Sequence, residues 1–265
     1  MSKQHSALTA VLEEARGRTG RLPPKVHQTG FVAQNGMTCV MNASPTTQKL
    51  FSEPFLAALR RDRATDCFIP VPKEGHHVTL LGLEYALIQT DGTGDEVVAA
   101  TLKRAQALLN ARVSLGTTIS MVACQQRKRL GLEMTPSTPS LNAELRAAED
   151  GMKKMLRVPK NKPQSWHMTL GYFKPGTPRA ARAEAEQNIR QILSDLLRRI
   201  PYAQLGFQHP QICVYKAHNK YTPLFPRLAA SSTQSFATVH LSQAVHQQRN
   251  HTKHTSTTTS GTRKP

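Results

Sequence analysis

Apolar positions along this chain recur with two different periods. The stripe Ile189, Ile192, Leu193, Leu196, Leu197, Ile200 has the i, i+3, i+4, i+7 spacing of one buried helical face. It predicts a helix from Pro178 to Ile200, opened by Thr-Pro. Further helices are predicted from Ser6 to Arg16, from Thr46 to Arg61, from Asp95 to Arg112 and from Pro139 to Leu156. The Asp95 helix begins acidic and ends basic, as the helix dipole favours. Thr138 and Pro139 suit an N-cap and a first helical position. Short runs rich in β-branched and aromatic residues predict strands. They are Thr38–Asn42, Cys67–Val71, His76–Leu83, Val113–Met121, Leu130–Met134, Ser165–Phe173 and Gln211–Lys216. Strands mixed with few helices, without strict alternation, predict an α+β fold with antiparallel sheet.

Polarity changes at both ends. Residues 1–25 read as a short helix followed by a Gly/Arg/Pro-rich arm. Residues 241–265 read as a disordered basic tail, in which Val245 to Pro265 holds Arg249, Lys253, Arg263 and Lys264 and no acid. The globular domain is therefore expected over 26–240. The formal charge is +18, which favours polyanionic partners. No apolar run is long enough for a membrane helix, and Met1–Arg21 lacks the apolar core of a secretory leader. Cys39, Cys67, Cys124 and Cys213 are scattered without a C-x-x-C pair. Neither a zinc ribbon nor a disulfide framework is indicated, and a cytoplasmic protein with no membrane partner is expected.

The candidate chemistry lies in a repeated tetrapeptide. His77-Val78-Thr79-Leu80 occurs within GHHVTLLGL, and His167-Met168-Thr169-Leu170 within SWHMTLGYF. On a strand, positions i and i+2 share a face. His77 and Thr79 therefore point one way and Val78 and Leu80 the other; the second copy repeats this. His27-Gln28-Thr29 and His254-Thr255-Ser256 show that the bare spacing arises by chance, but they lack the apolar partners. Two facing copies would supply a neutral imidazole to accept a proton and a charged one to donate it. The threonine hydroxyls could hold non-bridging phosphate oxygens. No ligand-spaced cluster is seen, so no metal or cofactor is expected. His76, preceding the first copy, falls on the opposite face as a structural residue.

Two H-x-[ST]-hydrophobic motifs, one per lobe, resemble the 2H phosphoesterase superfamily, which includes 2′-5′ RNA ligase-like proteins and 2′,3′-cyclic nucleotide phosphodiesterases. The resemblance spans about residues 30–217. It implies two pseudo-symmetric lobes of antiparallel sheet and helices enclosing a central cleft. It also implies a metal-independent phosphodiesterase acting on a cyclic phosphate or 2′-5′ linkage, with His77, Thr79, His167 and Thr169 as catalytic residues. A non-catalytic nucleotide- or RNA-binding module using the same cleft is the alternative. By strand alternation Gly171 should leave room for substrate and Phe173 should reach the cleft, while Tyr172 turns to the core. Phe173 and Tyr172 are candidates for base stacking. Lys174 and Lys216, after strand ends, are candidates for phosphate contact. The basic stretch Lys153, Lys154, Arg157, Lys160, Lys162, leading into Trp166-His167, favours an RNA end as substrate. A monomer acting on RNA, an oligonucleotide or a cyclic nucleotide is expected.

Overall fold

The computed structural model describes residues 3–16, 24–83, 94–114, 118–125, 130–158 and 165–225. The tail at 241–265, the run Arg127-Lys128-Arg129, and Lys160 and Lys162 lie outside them. The helices are α1 (Lys3–Arg16), α2 (Pro45–Thr47), α3 (Glu53–Arg61), α4 (Asp95–Arg112), α5 (Pro139–Met155) and α6 (Arg179–Arg198); a π-helical turn, Gln48–Ser52, joins α2 to α3. The strands are β1 (Gly36–Asn42), β2 (Phe68–Pro70), β3 (His77–Gly82), β4 (Ile119–Gln125), β5 (Gly131–Pro136), β6 (His167–Thr169), β7 (Gly171–Phe173), β8 (Gln204–Phe207), β9 (Gln211–Tyr215) and β10 (Thr222–Pro223).

The fold is α+β, built on a strongly curled antiparallel sheet. Eight strands run in the order β10-β9-β1-β3-β6-β5-β4-β8, and β2 and β7 form a separate pair. The curl brings the far edge back toward β1. Ala43 bridges Phe207, and the Ser44 N–H donates to the Gly206 carbonyl at 3.0 Å. Thr47 secures this junction: its Oγ1 donates to the Gly206 carbonyl and accepts from the Gly206 N–H, each at 2.8 Å.

Alternation along the strands sets the core. Met37, Cys39 and Met41 of β1, Val78 and Leu80 of β3, Leu132 and Met134 of β5, and Met168 of β6 are all buried in one cluster. Leu8 and Leu12 of α1, Phe55 of α3, Leu102 and Leu109 of α4, Leu145 and Met152 of α5, and Ile189 and Leu193 of α6 join the same cluster. Each such side chain removed from water contributes about 1.5–3 kcal/mol toward folding. Among the described residues no helix is long and apolar enough to cross a membrane.

Several boundaries differ from the pattern-based expectation. The strand expected over Val113–Met121 begins only at Ile119, because Val113 caps α4, its N–H donating to the Leu109 carbonyl. Ser165–Phe173 is not one strand. It breaks at Leu170, whose carbonyl accepts from the Val71 N–H, so β7 leaves β6 to pair with β2. The short strands β8 and β10 carry no pattern of their own and are held by their neighbours.

Candidate active site

The two tetrapeptides meet in the middle of the sheet. β3 and β6 are antiparallel neighbours with Val78 opposite Met168. His77 therefore stands opposite Thr169, and Thr79 opposite His167, all four on one face. The other face carries the fully buried Val78 and Met168. The histidines occupy one diagonal of this rectangle and the threonines the other. Diagonal Cβ atoms across an antiparallel pair lie about 7–8 Å apart or slightly less, so one small group between the imidazoles can touch both.

Both imidazoles are oriented in the same way. His77 Nδ1 lies 2.7 Å from the Gly75 carbonyl, and His167 Nδ1 lies 3.3 Å from the Ser165 carbonyl. A carbonyl oxygen only accepts, so Nδ1 carries the hydrogen in each ring. Nε2 is left as the nitrogen that can take or give a proton. Neither threonine hydroxyl has a hydrogen-bond partner among the described residues. The arrangement can accept a proton at one end, donate one at the other, and donate two hydroxyl hydrogen bonds between them.

The surroundings of the two histidines differ. The ring of Tyr221 packs over His77, with centroids 4.0 Å apart. The backbone around it is tight as well: a Cβ on Gly75 would sit 2.4 Å from the Asn219 carbonyl oxygen. Burial pushes the His77 imidazole down to about 4; the Gly75 hydrogen bond opposes this, while the charges of Lys25 and His167 add to it. Asn42 of β1 is the cross-strand neighbour of His77. Its Oδ1 is buried without a hydrogen-bond partner. Glu133 of β5 is the cross-strand neighbour of His167 and is exposed. Asn42, Glu133, Lys25 and Tyr221 were not among the sequence candidates. Their nearness comes from strand register and loop packing, although Glu133 is the single charged residue of β5 and strand alternation marks it.

His76 lies fully buried on the far side of the sheet, its Nδ1 2.7 Å from Ser52 Oγ, beside Phe51 and Phe55. Burial pushes it down to about 4, with the charge of His77 adding to the effect.

The remaining sequence candidates are placed differently from expectation. The break at Leu170 reverses the alternation beyond it. Phe173 packs edge-on against Phe68, on the main core, with the Arg182 guanidinium 4.6 Å over its ring. Its ring contacts are thus with protein, Phe68 on the core side and Arg182 over the ring. Tyr172 instead meets Phe31 edge-on, with Lys25 Nζ 5.6 Å from its ring centroid. Gly171 leaves no space for substrate: a Cβ there would lie 2.3 Å from Phe68 Cζ. It admits β2 at close range. The Lys174 N–H donates to the Cys67 carbonyl, and the Lys216 carbonyl accepts from the Gln34 N–H. Among the described residues no hydrogen bond or ion pair joins either lysine to the four site residues. Lys153 is committed to the buried Glu149 at 2.6 Å, which Arg146 also pairs at 2.8 Å. That part of the basic stretch serves the fold. A cavity of about 520 Å³, lined by Gln125, Glu186, Gln187, Arg190 and others, opens beside α6, away from the histidines.

The chain matches no protein-family model and no curated protein. It is similar in structure to a conserved protein of unknown function from Agrobacterium tumefaciens strain C58, with a TM-score of 0.57. The alignment covers 84% of this chain and 98% of that one at 16% identity. At that identity the likeness concerns the fold alone.

Proposed function

We propose that the protein is a metal-independent phosphodiesterase of the 2H type, hydrolysing a 2′,3′-cyclic phosphate or a 2′-5′ linkage in RNA or an oligonucleotide. One observation carries the reading: His77, Thr79, His167 and Thr169 share one sheet face, with both Nδ1 atoms tied to the carbonyl two residues earlier. In this reading a pseudo-twofold axis passes between Val78 and Met168 and relates two lobes. The cleft is the space over β3 and β6. The phosphorus sits between the imidazoles, with its non-bridging oxygens on the threonine hydroxyls. One imidazole takes a proton from water and the other gives one to the leaving ribose oxygen. Hydroxyls aimed at the developing charge lower the barrier further.

The test is a substrate screen with purified protein. Cyclic nucleotides, 2′-5′ oligoadenylates and RNA ending in a cyclic phosphate are each offered, and the phosphomonoester formed is identified. Turnover of one class supports the reading. Tight binding without turnover of any of them would leave the same face as a nucleotide- or RNA-binding site and overturn the catalytic reading.

A further inference from the structure

The rectangle of His77, Thr79, His167 and Thr169 carries no fixed positive charge, since its side chains are two imidazoles and two hydroxyls. Lys25 supplies one at its rim. The segment from Lys25 to Val32 is a tight hairpin: Val26 bridges Phe31, the Val32 N–H donates to the Lys25 carbonyl at 3.0 Å, and the His27 N–H donates to the Gly30 carbonyl at 2.8 Å. Val26 is buried, and Gln28 Nε2 donates to the Pro175 carbonyl. The Lys25 backbone is thereby fixed, while its side chain is exposed. Its Nζ lies 5.6 Å from the Tyr172 ring centroid, and Phe31 holds that ring edge-on at 6.1 Å. The ring face attracts the ammonium. Tyr172 follows Thr169 by three residues, so their Cα atoms are within about 11 Å, and Thr169 stands opposite His77. The ammonium's charge is felt at His77. Among the described residues Lys25 has no ion-pair partner.

We propose that Lys25 receives a second phosphate, the one next to the reacting phosphodiester in an RNA or oligonucleotide strand, and so selects strand ends over lone nucleotides. This rests on the phosphodiesterase reading and deepens it by naming the substrate class. The threonine hydroxyls already meet the oxygens of the reacting phosphate. Lys25 comes from a hairpin outside the eight-stranded sheet, so it meets whatever projects beyond the rectangle. A strand carries one further negative charge there for each added nucleotide. The lysine ammonium is a compact charge with three donors on a flexible stem, and it takes a phosphate oxygen without a fixed approach angle. The cation nearer in sequence to the second motif, Lys153, is spent on Glu149.

Two pairs of probes test this, each pair differing by a single phosphate: adenosine 2′,3′-cyclic phosphate and 2′-5′-linked diadenosine phosphate, each with and without a 5′-phosphate. In the pair that the native protein turns over, KM should be about tenfold lower for the 5′-phosphorylated member, with similar kcat. Lys25→Gln should bring that KM ratio close to one, and Lys25→Arg should keep most of it. A change in KM at constant kcat marks binding shared by substrate and transition state. Because the ratio is read within one variant, a general effect of Lys25 on His77 or on folding cancels. Equal KM values in the native protein, or a ratio that survives in Lys25→Gln, overturn the role of Lys25 and leave the phosphodiesterase reading standing. No turnover of any of the four probes by the native protein overturns that reading and this proposal with it.

Discussion

Val78 and Met168 face each other across β3 and β6. That single register places His77 opposite Thr169 and Thr79 opposite His167. Both apolar residues are fully buried. A slip by one position would turn every histidine and threonine into the core, so the packing of this pair fixes the geometry of the polar face. Met168→Ala is predicted to destabilise the protein by about 2–5 kcal/mol. Urea unfolding measures it, and an unchanged midpoint would contradict the role given to this pair.

The threonine hydroxyls are predicted to act on the charge developing at phosphorus. Thr79→Val and Thr169→Val keep the side-chain shape and remove the donor. Each should lower kcat by about 10²–10³-fold with the melting temperature nearly unchanged. Thr→Ser at either position should keep most of the activity. A valine variant with native kcat would remove that threonine from the mechanism.

Tyr221 is predicted to set the acid limb of the pH–rate profile. His77 is depressed to about 4, first by burial. Neutral His77 is therefore present above that pH and is lost as pH falls through it. Tyr221→Ala admits water to the ring, so the acid limb should move upward toward the ordinary histidine value of about 6.5. An unmoved limb would mean that Tyr221 does not govern His77.

His76 makes stability depend on pH. Burial penalises the charged form and pushes His76 down to about 4, from the ordinary histidine value of about 6.5. A depressed histidine contributes fully above the unfolded-state value. Its contribution is lost as pH falls from about 6.5 toward 4, where the unfolded chain binds a proton that the native one refuses. The shift corresponds to a contribution on the order of 3 kcal/mol. Denaturant unfolding at pH 7 and pH 4.5 should show lower stability at the acid pH. His76→Phe should reduce that difference, leaving the share that His77 carries, and an unaltered pH dependence in the variant would contradict this account.

Gly171 is predicted to be structural. Its missing Cβ admits Phe68 and the Ile69 carbonyl at 2.3 and 2.5 Å. Gly171→Ala should cost about 1–3 kcal/mol by overpacking, measurable as a lower melting temperature. A stable variant with altered substrate preference would return Gly171 to the substrate side.

Local signals were legible where one element decides its own outcome. The Asp95–Arg112 helix was read to its observed limits, because its charges follow the dipole and its length exceeds that of any strand. The His-x-Thr faces were legible because alternation within one strand needs no partner. Alternation failed beyond Leu170, where hydrogen bonding to Val71 breaks the strand and exchanges the surroundings expected for Tyr172 and Phe173. Asn42, Glu133 and Tyr221 were beyond reach for a related reason. They stand beside the histidines through pairing between strands far apart in the chain and through a loop seated on Gly75. No local pattern encodes such register.

The most direct measurement follows one 2′,3′-cyclic nucleotide by ³¹P NMR with native protein, His77→Ala and His167→Ala, each with and without EDTA. The account predicts conversion to a phosphomonoester by the native protein, unaffected by EDTA. It predicts a loss of about 10²-fold or more in each variant with its fold intact by circular dichroism. Native rates in both variants, or activity abolished by EDTA, would contradict it.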